Sequence, residues 1–292
     1  MTPTLFILGL LGGFFSGLLG IGGGIIMVPL LLYIPPLLSL LPLGMKTIAG
    51  ITMVQSLAGS LSSLAIHHRS GFVNRSLVFY MGVSSSAGAL IGSVWSFSIS
   101  ETTITGIFVA LALLASGLLL LPVQTDDKDV EDLRDISFNK GKASIIGFVV
   151  GLLGGILGQG GAFLIIPLLI YLLGIPTRIV LGSSVAISFI SALAGFLGKW
   201  STNQIPFMLA ITVASGAVLG ALLGGYISKY VTVKFLRYIL AALIAATGLR
   251  MGYSLMAGSI TILLVLAVLC FYLLKKKSSF EKKYQLEQNG KY

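Results

Sequence analysis

The sequence carries little charge and offers few reactive side chains. Only 10% of its 292 residues are Asp, Glu, Lys or Arg, against about a quarter in a soluble domain, and the mean hydropathy is +1.01. The single cysteine, Cys270, cannot form an internal disulfide, and the two histidines are not part of an HExxH motif or a His/Cys cluster with metal-ligand spacing. We therefore expect a membrane protein that is not an enzyme and that holds no metal or other cofactor.

Acidic side chains are missing from the apolar body of the chain. Six of the nine acids lie within 124–142 and two in the C-terminal tail, so that only Glu101 stands between apolar segments. Cation and proton pumps commonly place a carboxylate at mid-membrane depth, and the pattern argues against that class. The net charge of +10 fits either an anionic ligand or basic cytoplasmic loops.

Nine apolar stretches fill most of the remaining sequence. Each approaches or exceeds the roughly 20 residues that a helix needs to cross about 30 Å of hydrocarbon. This pattern predicts an all-α polytopic protein of the cell membrane, with the lipid bilayer as partner and no nucleic acid. We divide the chain into a first transmembrane repeat (1–123), an acidic linker (124–142), a second repeat (143–256), an extra apolar helix (257–274) and a basic tail (275–292).

The two transmembrane regions are copies of one pattern. Residues 16–33, SGLLGIGGGIIMVPLLLY, align without gaps to 154–171, GGILGQGGAFLIIPLLIY, with nine identities in eighteen. The match continues from 49–61 to 181–193 and from GALIG at 88–92 to GAVLG at 216–220. The chain is therefore a tandem duplication in which each half has a glycine-rich segment followed by three ordinary spans.

Charge placement favours one of two topologies for the repeats. If each glycine-rich segment crosses once, the basic residues divide 8 against 11; if each is a hairpin, 16 of the 19 fall on one face. Basic residues concentrate in cytoplasmic loops, so the hairpin alternative, with inverted repeats, is preferred. It predicts a cytoplasmic linker and C-terminal tail and an external N-terminus.

The glycines themselves predict a break in each copy. A glycine costs a helix roughly 1 kcal/mol relative to alanine, and irregular backbone within hydrocarbon is tolerated only where it lines protein or a water-filled cavity. The helix that restarts after the break presents free N–H groups and a positive dipole end, which suits an anion. The glycines would also allow close helix packing alone. A nucleotide-binding loop is a poor alternative, because no GxxxxGK[ST] motif occurs and no polar βαβ unit surrounds the glycines.

Hydroxyl and amide side chains follow each break at helical spacing. Thr52, Gln55 and Ser56 share one helix face, as do Ser184 and Ser188, with Ser191 behind them; each could line a path or serve as an interhelical hydrogen bond. At the ends of these spans His67, His68, Arg69, Lys199 and Trp200 are either interfacial anchors or an electropositive vestibule. The predicted substrate-binding residues are Gly20, Gly22, Gly23, Gly24, Thr52, Gln55, Ser56, Gly158, Gln159, Gly160, Gly161, Ser183, Ser184 and Ser188.

The paired Gly/Pro segments, together with HHRSGFVN at 67–74, resemble the TauE/SafE family of sulfite and organosulfonate permeases over residues 5–250. The resemblance implies a secondary transporter for small anions, most plausibly sulfite, sulfonates or related sulfur-containing anions, in which one repeat moves against the other to give alternating access. The second copy departs from the first at Gln159 and Ala162, which replace Ile21 and Gly24, so the two half-sites are unequal. An anion channel and a permease for small carboxylates are the alternatives, and the sequence does not fix the oligomeric state.

Overall fold

A computed structural model describes residues 2–19, 24–67, 73–120, 138–227 and, apart from 243 and 247, 241–253. Within these ranges all regular structure is helical. The helices are α1 (Thr2–Leu19), α2 (Gly24–Leu37), α3 (Met45–His67), α4 (Arg75–Trp95), α5 (Glu101–Leu120), α6 (Lys140–Leu157), α7 (Ala162–Leu173), α8 (Thr177–Ser201) and α9 (Phe207–Ile227). The described residues of 241–253 are also helical and are called α10.

The helices have the composition of membrane spans. Four of them, in α4, α6, α8 and α9, are long and apolar enough to cross a bilayer, and α1, α2, α5 and α7 contain shorter apolar helices. In α1–α9 every Lys, Arg and acid falls within three residues of a helix end; these residues are Lys46, Arg75, Glu101, Lys140, Lys142, Arg178 and Lys199. The predicted all-helical integral membrane protein is confirmed at this level.

Helix α6 begins at Lys140, three residues before the predicted start of the second repeat at residue 143. Asn139 is the cause, because its side chain accepts a hydrogen bond from the Lys142 N–H at 3.0 Å. An asparagine cap of this kind satisfies one of the free N–H groups at a helix start, so the helix begins within the polar segment.

The second of the two longest apolar stretches is divided into two helices. The break predicted in the first stretch, at Gly20, Gly22 and Gly23, lies outside the described residues. In the second break Gly158, Gly160 and Gly161 have φ of +73°, +61° and +76°, a left-handed conformation that glycine adopts most readily. Gly158 ends α6 by donating its N–H to the carbonyl of Gly154. The predicted break is therefore present in the second copy.

Glycines bring α1 onto α9 backbone to backbone. A Cβ added to Gly9, Gly13 or Gly17 would overlap the carbonyl oxygens of Val213, Ala217 or Ala221, and one added to Gly216, Gly220 or Gly224 would overlap those of Phe6, Leu10 or Phe14. The partners advance together along both helices, so α1 and α9 run in the same direction. Near its start α3 joins them, because Gly50 lies against the carbonyl oxygen of Gln204, just before α9.

The same arrangement recurs between α4 and α6. A Cβ on Gly151 or Gly155 would meet the carbonyl oxygens of Ser85 or Ala89, and one on Gly88 or Gly92 those of Phe148 or Leu152. On its other side α4 packs in parallel with α8, as Gly82 lies near Ile190 and Gly198 near Ser93. The helices therefore form a first bundle (α1, α3, α9) and a second bundle (α4, α6, α8), and each bundle contains helices from both halves of the sequence.

Candidate functional site

The two bundles meet where α3 packs against α8, and the predicted polar residues of these helices lie halfway along them. Ser56 is the twelfth of 23 residues in α3, and Ser188 is the twelfth of 25 in α8. Gly160 fits between these two helices, since a Cβ at this position would be 2.9 Å from Ser56 Oγ and 3.4 Å from the Ser188 carbonyl oxygen. The α3–α8 interface thus holds the second break at the middle of the helices.

The start of α2 reaches the same place. A Cβ added to Gly24, the first residue of α2, would lie 2.8 Å from Cγ of Gln159. The hydroxyl of Ser56 donates to the Gln159 carbonyl oxygen at 3.0 Å. The structure therefore brings together four of the predicted substrate-binding residues, namely Gly24, Ser56, Gln159 and Gly160.

The N-terminus of one helix and the first described residue of another face this region. Helix α7 begins at Ala162, and its N-cap, Gly161, provides no side-chain hydrogen bond to the first turn. Gly24, the first described residue of α2, is in contact with Gln159. Uncapped N–H groups at a helix start, combined with the positive end of the helix dipole, attract anions. This arrangement supplies positive potential without a charged side chain.

Buried polar atoms without hydrogen-bond partners concentrate around the breaks. Within the described ranges they are Ser16 Oγ, Gln55 Oε1, both carboxamide atoms of Gln159, Ser188 Oγ and Ser191 Oγ. Each such atom costs about 1–3 kcal/mol when it stays unpaired in an apolar interior, so native proteins rarely keep several together. We call these four serine and glutamine positions on α1, α3 and α8, together with Gln159, the polar cluster.

Ser16 and Ser191 are further candidates for the predicted site. Ser16 lies one turn after Gly12, where a Cβ would be 3.7 Å from Gln55 Nε2, and Ser191 is one turn after Ser188 on the same face of α8. Ser191 was noted in the sequence only as a neighbour of the serine stripe, and Ser16 was missed. The available signal for Ser16 was its position four residues before the first glycine of the break.

Other predicted residues have different partners. The Thr52 hydroxyl donates to the Ile48 carbonyl of its own helix at 2.9 Å, and Ser183 Oγ accepts the N–H of Asn74 at 3.1 Å, next to the start of α4. Ser184 is buried on α8. Gly158 packs against the carbonyl oxygen of Ala49 and Gly161 against Val150, so close packing accounts for both of these glycines.

The comparisons with known proteins identify the family of the chain. The family model for the sulfite exporter TauE/SafE matches residues 5–251. The chain belongs to the TauE/SafE family. Its relatives are membrane transporters and not enzymes, which confirms the resemblance and the non-enzymatic assignment.

Three relatives align with this TauE/SafE protein over nearly their whole length. They are the probable membrane transporter proteins YunE (26% identity, 85% of this chain and 96% of the relative) and YjnA (26%, 86% and 100%) of Bacillus subtilis (strain 168), and MJ0441 (23%, 86% and 95%) of Methanocaldococcus jannaschii. No solved structure matches the chain.

One basic residue of this TauE/SafE protein, Lys199, is neither an interfacial anchor nor part of a vestibule. Lys199 is fully buried, and its Nζ donates to Ser96 Oγ at 2.9 Å and to Gln204 Oε1 at 3.1 Å. Lys199 is in the last turn of α8 and Ser96 caps the C-terminus of α4, where helix dipoles stabilise a cation. It therefore neither anchors at the lipid surface nor lines an open vestibule, whereas the neighbouring Trp200 is 54% exposed, as an interfacial residue would be. His68 and Arg69 lie outside the described residues, as does the side chain of His67 at the end of α3.

Proposed function

We propose that this protein is a secondary transporter that moves small anions, chiefly sulfite, sulfonates or related sulfur-containing anions, across the cell membrane by alternating access. The observation that carries the proposal is the polar cluster, which lies with the N-terminus of α7 at the α3–α8 interface. The substrate would contact Gly24, Gln55, Gln159, Gly160, Ser188 and the missed Ser16. Gly20, Gly22 and Gly23, which precede α2, belong to the same proposal.

The polar cluster can bind an anion through neutral groups alone. Hydroxyl and carboxamide N–H groups donate hydrogen bonds, and a bond to a charged partner contributes about 1.5–3 kcal/mol. Several such bonds and the helix dipoles would together offset the loss of hydration. Glu101, the sole acid among the described residues, begins α5 and so does not oppose an anion at mid-length.

Helix directions support the inverted arrangement of the repeats. In the alignment α1 corresponds to α6, and α4 corresponds to α9. The end of α4 lies beside Gln204, just before the start of α9, so α4 and α9 run in opposite directions. Because α1 runs parallel to α9 and α6 runs parallel to α4, α1 and α6 also run in opposite directions. In this arrangement α2 and α7 return toward the side from which α1 and α6 entered.

The distribution of basic residues supports one orientation of the protein in the membrane. Lys46 binds the carbonyl oxygen of Phe97, one residue after the Ser96 that binds Lys199, so these two lysines share one end of the bundles. Lys140 lies at the opposite end, over the ring of Tyr80. With the more basic end in the cytoplasm, the linker and tail are cytoplasmic and the N-terminus is external.

We further propose that the bodies which move are the two bundles and not the two sequence repeats. Backbone contacts join α1 to α9 and α4 to α6, and each of these contacts links one repeat to the other. Sliding the repeats would break both contacts, whereas the bundles touch mainly at the α3–α8 interface. The polar cluster lies at this interface, where relative movement would open it to either side.

The function can be tested by anion flux in proteoliposomes. Purified protein should transport sulfite or methanesulfonate with saturation, which separates a transporter from a channel. Ser188→Ala removes one hydroxyl of the polar cluster and should weaken the apparent affinity roughly 10- to 100-fold, the equivalent of one hydrogen bond to a charged group. Ser85→Ala is the matched control, because the Ser85 hydroxyl is buried but donates to the Gly82 carbonyl of its own helix. Absence of flux for every small anion tested, or equal affinity in the two variants, would refute the proposal.

A further inference from the structure

Among the described residues, charged positions are distant from the polar cluster along every helix that forms it. On α8, Arg178 and Lys199 are ten and eleven residues from Ser188, or about 15–16 Å at 1.5 Å per residue. On α3, Lys46 is nine residues before Gln55, about 13 Å, and His67 ends the helix. Helices α1, α2 and α7 contain no charged residue, and α6 has only Lys140 and Lys142 in its first turn.

The charge of the ligand decides whether such a neutral site suffices. The cost of removing an ion from water rises with the square of its charge, so a dianion costs about four times as much as a monoanion of equal size. Attraction to hydroxyls, amides and helix dipoles rises only in proportion to the charge. A nearby Arg or Lys would close this gap, since both side chains form strong charge-assisted hydrogen bonds to oxyanions.

Gln159 adds a second constraint at the centre of the site. It is 1% exposed, and both its carboxamide oxygen and its nitrogen lack a partner, so one donor and one acceptor are available whichever way the amide is turned. Gln55 Oε1 is a further free acceptor. Acceptor oxygens repel a second full negative charge, but they can accept a hydrogen bond from a ligand that keeps a proton.

We propose that the polar cluster selects singly charged oxyanions, namely sulfonates and the singly ionised, proton-bearing form of sulfite, and rejects dianions such as sulfate. This inference rests on the proposed function, in that it assumes the cluster is the anion site. It adds a rule of specificity, which is that the charge of the ligand matters more than its sulfur chemistry.

Binding of three anions to the purified wild-type protein tests the rule. Methanesulfonate carries one charge at all accessible pH values, sulfate carries two, and sulfite changes from one to two near neutral pH. Calorimetric titrations at constant ionic strength should give a methanesulfonate Kd that changes less than about twofold between pH 6 and 9. The sulfite Kd should rise toward tenfold per pH unit once the dianion predominates, because only the singly charged fraction binds. Sulfate should bind at least roughly 100-fold more weakly than methanesulfonate.

The outcomes separate this inference from the function on which it rests. If sulfate binds as tightly as methanesulfonate, or if the sulfite Kd does not vary with pH, the charge rule is wrong while the anion site stands. If none of the three anions binds, the proposed function fails and the rule fails with it. The variant Gln159→Lys gives an independent readout, since a cation at this position should improve sulfate binding at least tenfold relative to methanesulfonate, and an unchanged ratio would contradict the rule.

Discussion

The contact between Gly24 and Gln159 allows the proposed anion site to be perturbed by a single methyl group. In Gly24→Ala the new Cβ would lie 2.8 Å from Cγ, 3.0 Å from Cβ and 3.3 Å from Cα of Gln159, whereas ordinary contacts begin at 3.4 Å. Gly24 does not have a positive φ, so alanine introduces no backbone strain of its own. The substitution therefore acts mainly by displacing Gln159.

The expected effects on stability and on binding differ in size. Overpacking of this kind costs about 1–3 kcal/mol, and the better helix propensity of alanine recovers at most about 1 kcal/mol. A displaced carboxamide loses one hydrogen bond to a charged ligand, about 1.5–3 kcal/mol, which corresponds to roughly 10- to 100-fold in Kd. We therefore expect a protein that still folds but binds methanesulfonate at least tenfold more weakly.

Calorimetry of methanesulfonate binding and thermal unfolding in the same detergent measure both quantities. Gly117→Ala is the matched control, because a Cβ at Gly117 meets no atom within 4 Å. The double variant Gly24→Ala/Gln159→Ala removes the overlapping Cγ and should recover much of the lost stability without recovering affinity. If Gly24→Ala binds methanesulfonate as the Gly117→Ala control does, the α2 terminus and Gln159 do not form one anion site.

Three further outcomes follow from contacts described above. Ser16→Ala should raise the free energy of unfolding by about 1 kcal/mol, because it removes an unpaired buried hydroxyl, yet weaken anion binding; lower stability with unchanged affinity would remove Ser16 from the site. Gly220→Ala should lower the unfolding midpoint by roughly 2–10 °C through overlap with the α1 backbone, while Gly117→Ala should not, and equal midpoints would contradict the parallel packing. Cysteines introduced by Thr2→Cys and Asp129→Cys should react with an impermeant thiol reagent from opposite sides of the membrane, and labelling from one side would exclude inverted repeats.

Much of the geometry of the candidate site could be predicted because its features are local in the sequence. Consecutive glycines in a membrane segment predict a helix break, and the repeat predicts such a break in both copies. The positions of Ser56, Ser188 and Gln159 follow from helical spacing and from the alignment of the two copies. A membrane transporter of the TauE/SafE family could thus be recognised from the residues alone.

The rest depends on which helices become neighbours, which local patterns do not encode. Thr52 and Ser56 lie on one face of α3, yet Thr52 bonds to its own helix whereas Ser56 reaches Gln159, and only the packed structure distinguishes them. Ser183 is predicted with Ser184 as a substrate-binding residue, but its hydroxyl oxygen accepts a hydrogen bond from the Asn74 N–H. Lys199 at the end of an apolar span has the pattern of an interfacial anchor, and its burial depends on Ser96, which is more than 100 residues away in sequence.

The exchange of helices between the bundles has a consequence for how the chain is made. The glycine face of α1 finds its backbone partner only in α9, about 200 residues later in the chain. At typical synthesis rates this delay is about 10–40 s, during which the first half is inserted but cannot complete its own bundle. The N-terminal half should therefore be an assembly intermediate and not an independent domain, and two half-chains made separately should stabilise one another only when both are present in the same membrane.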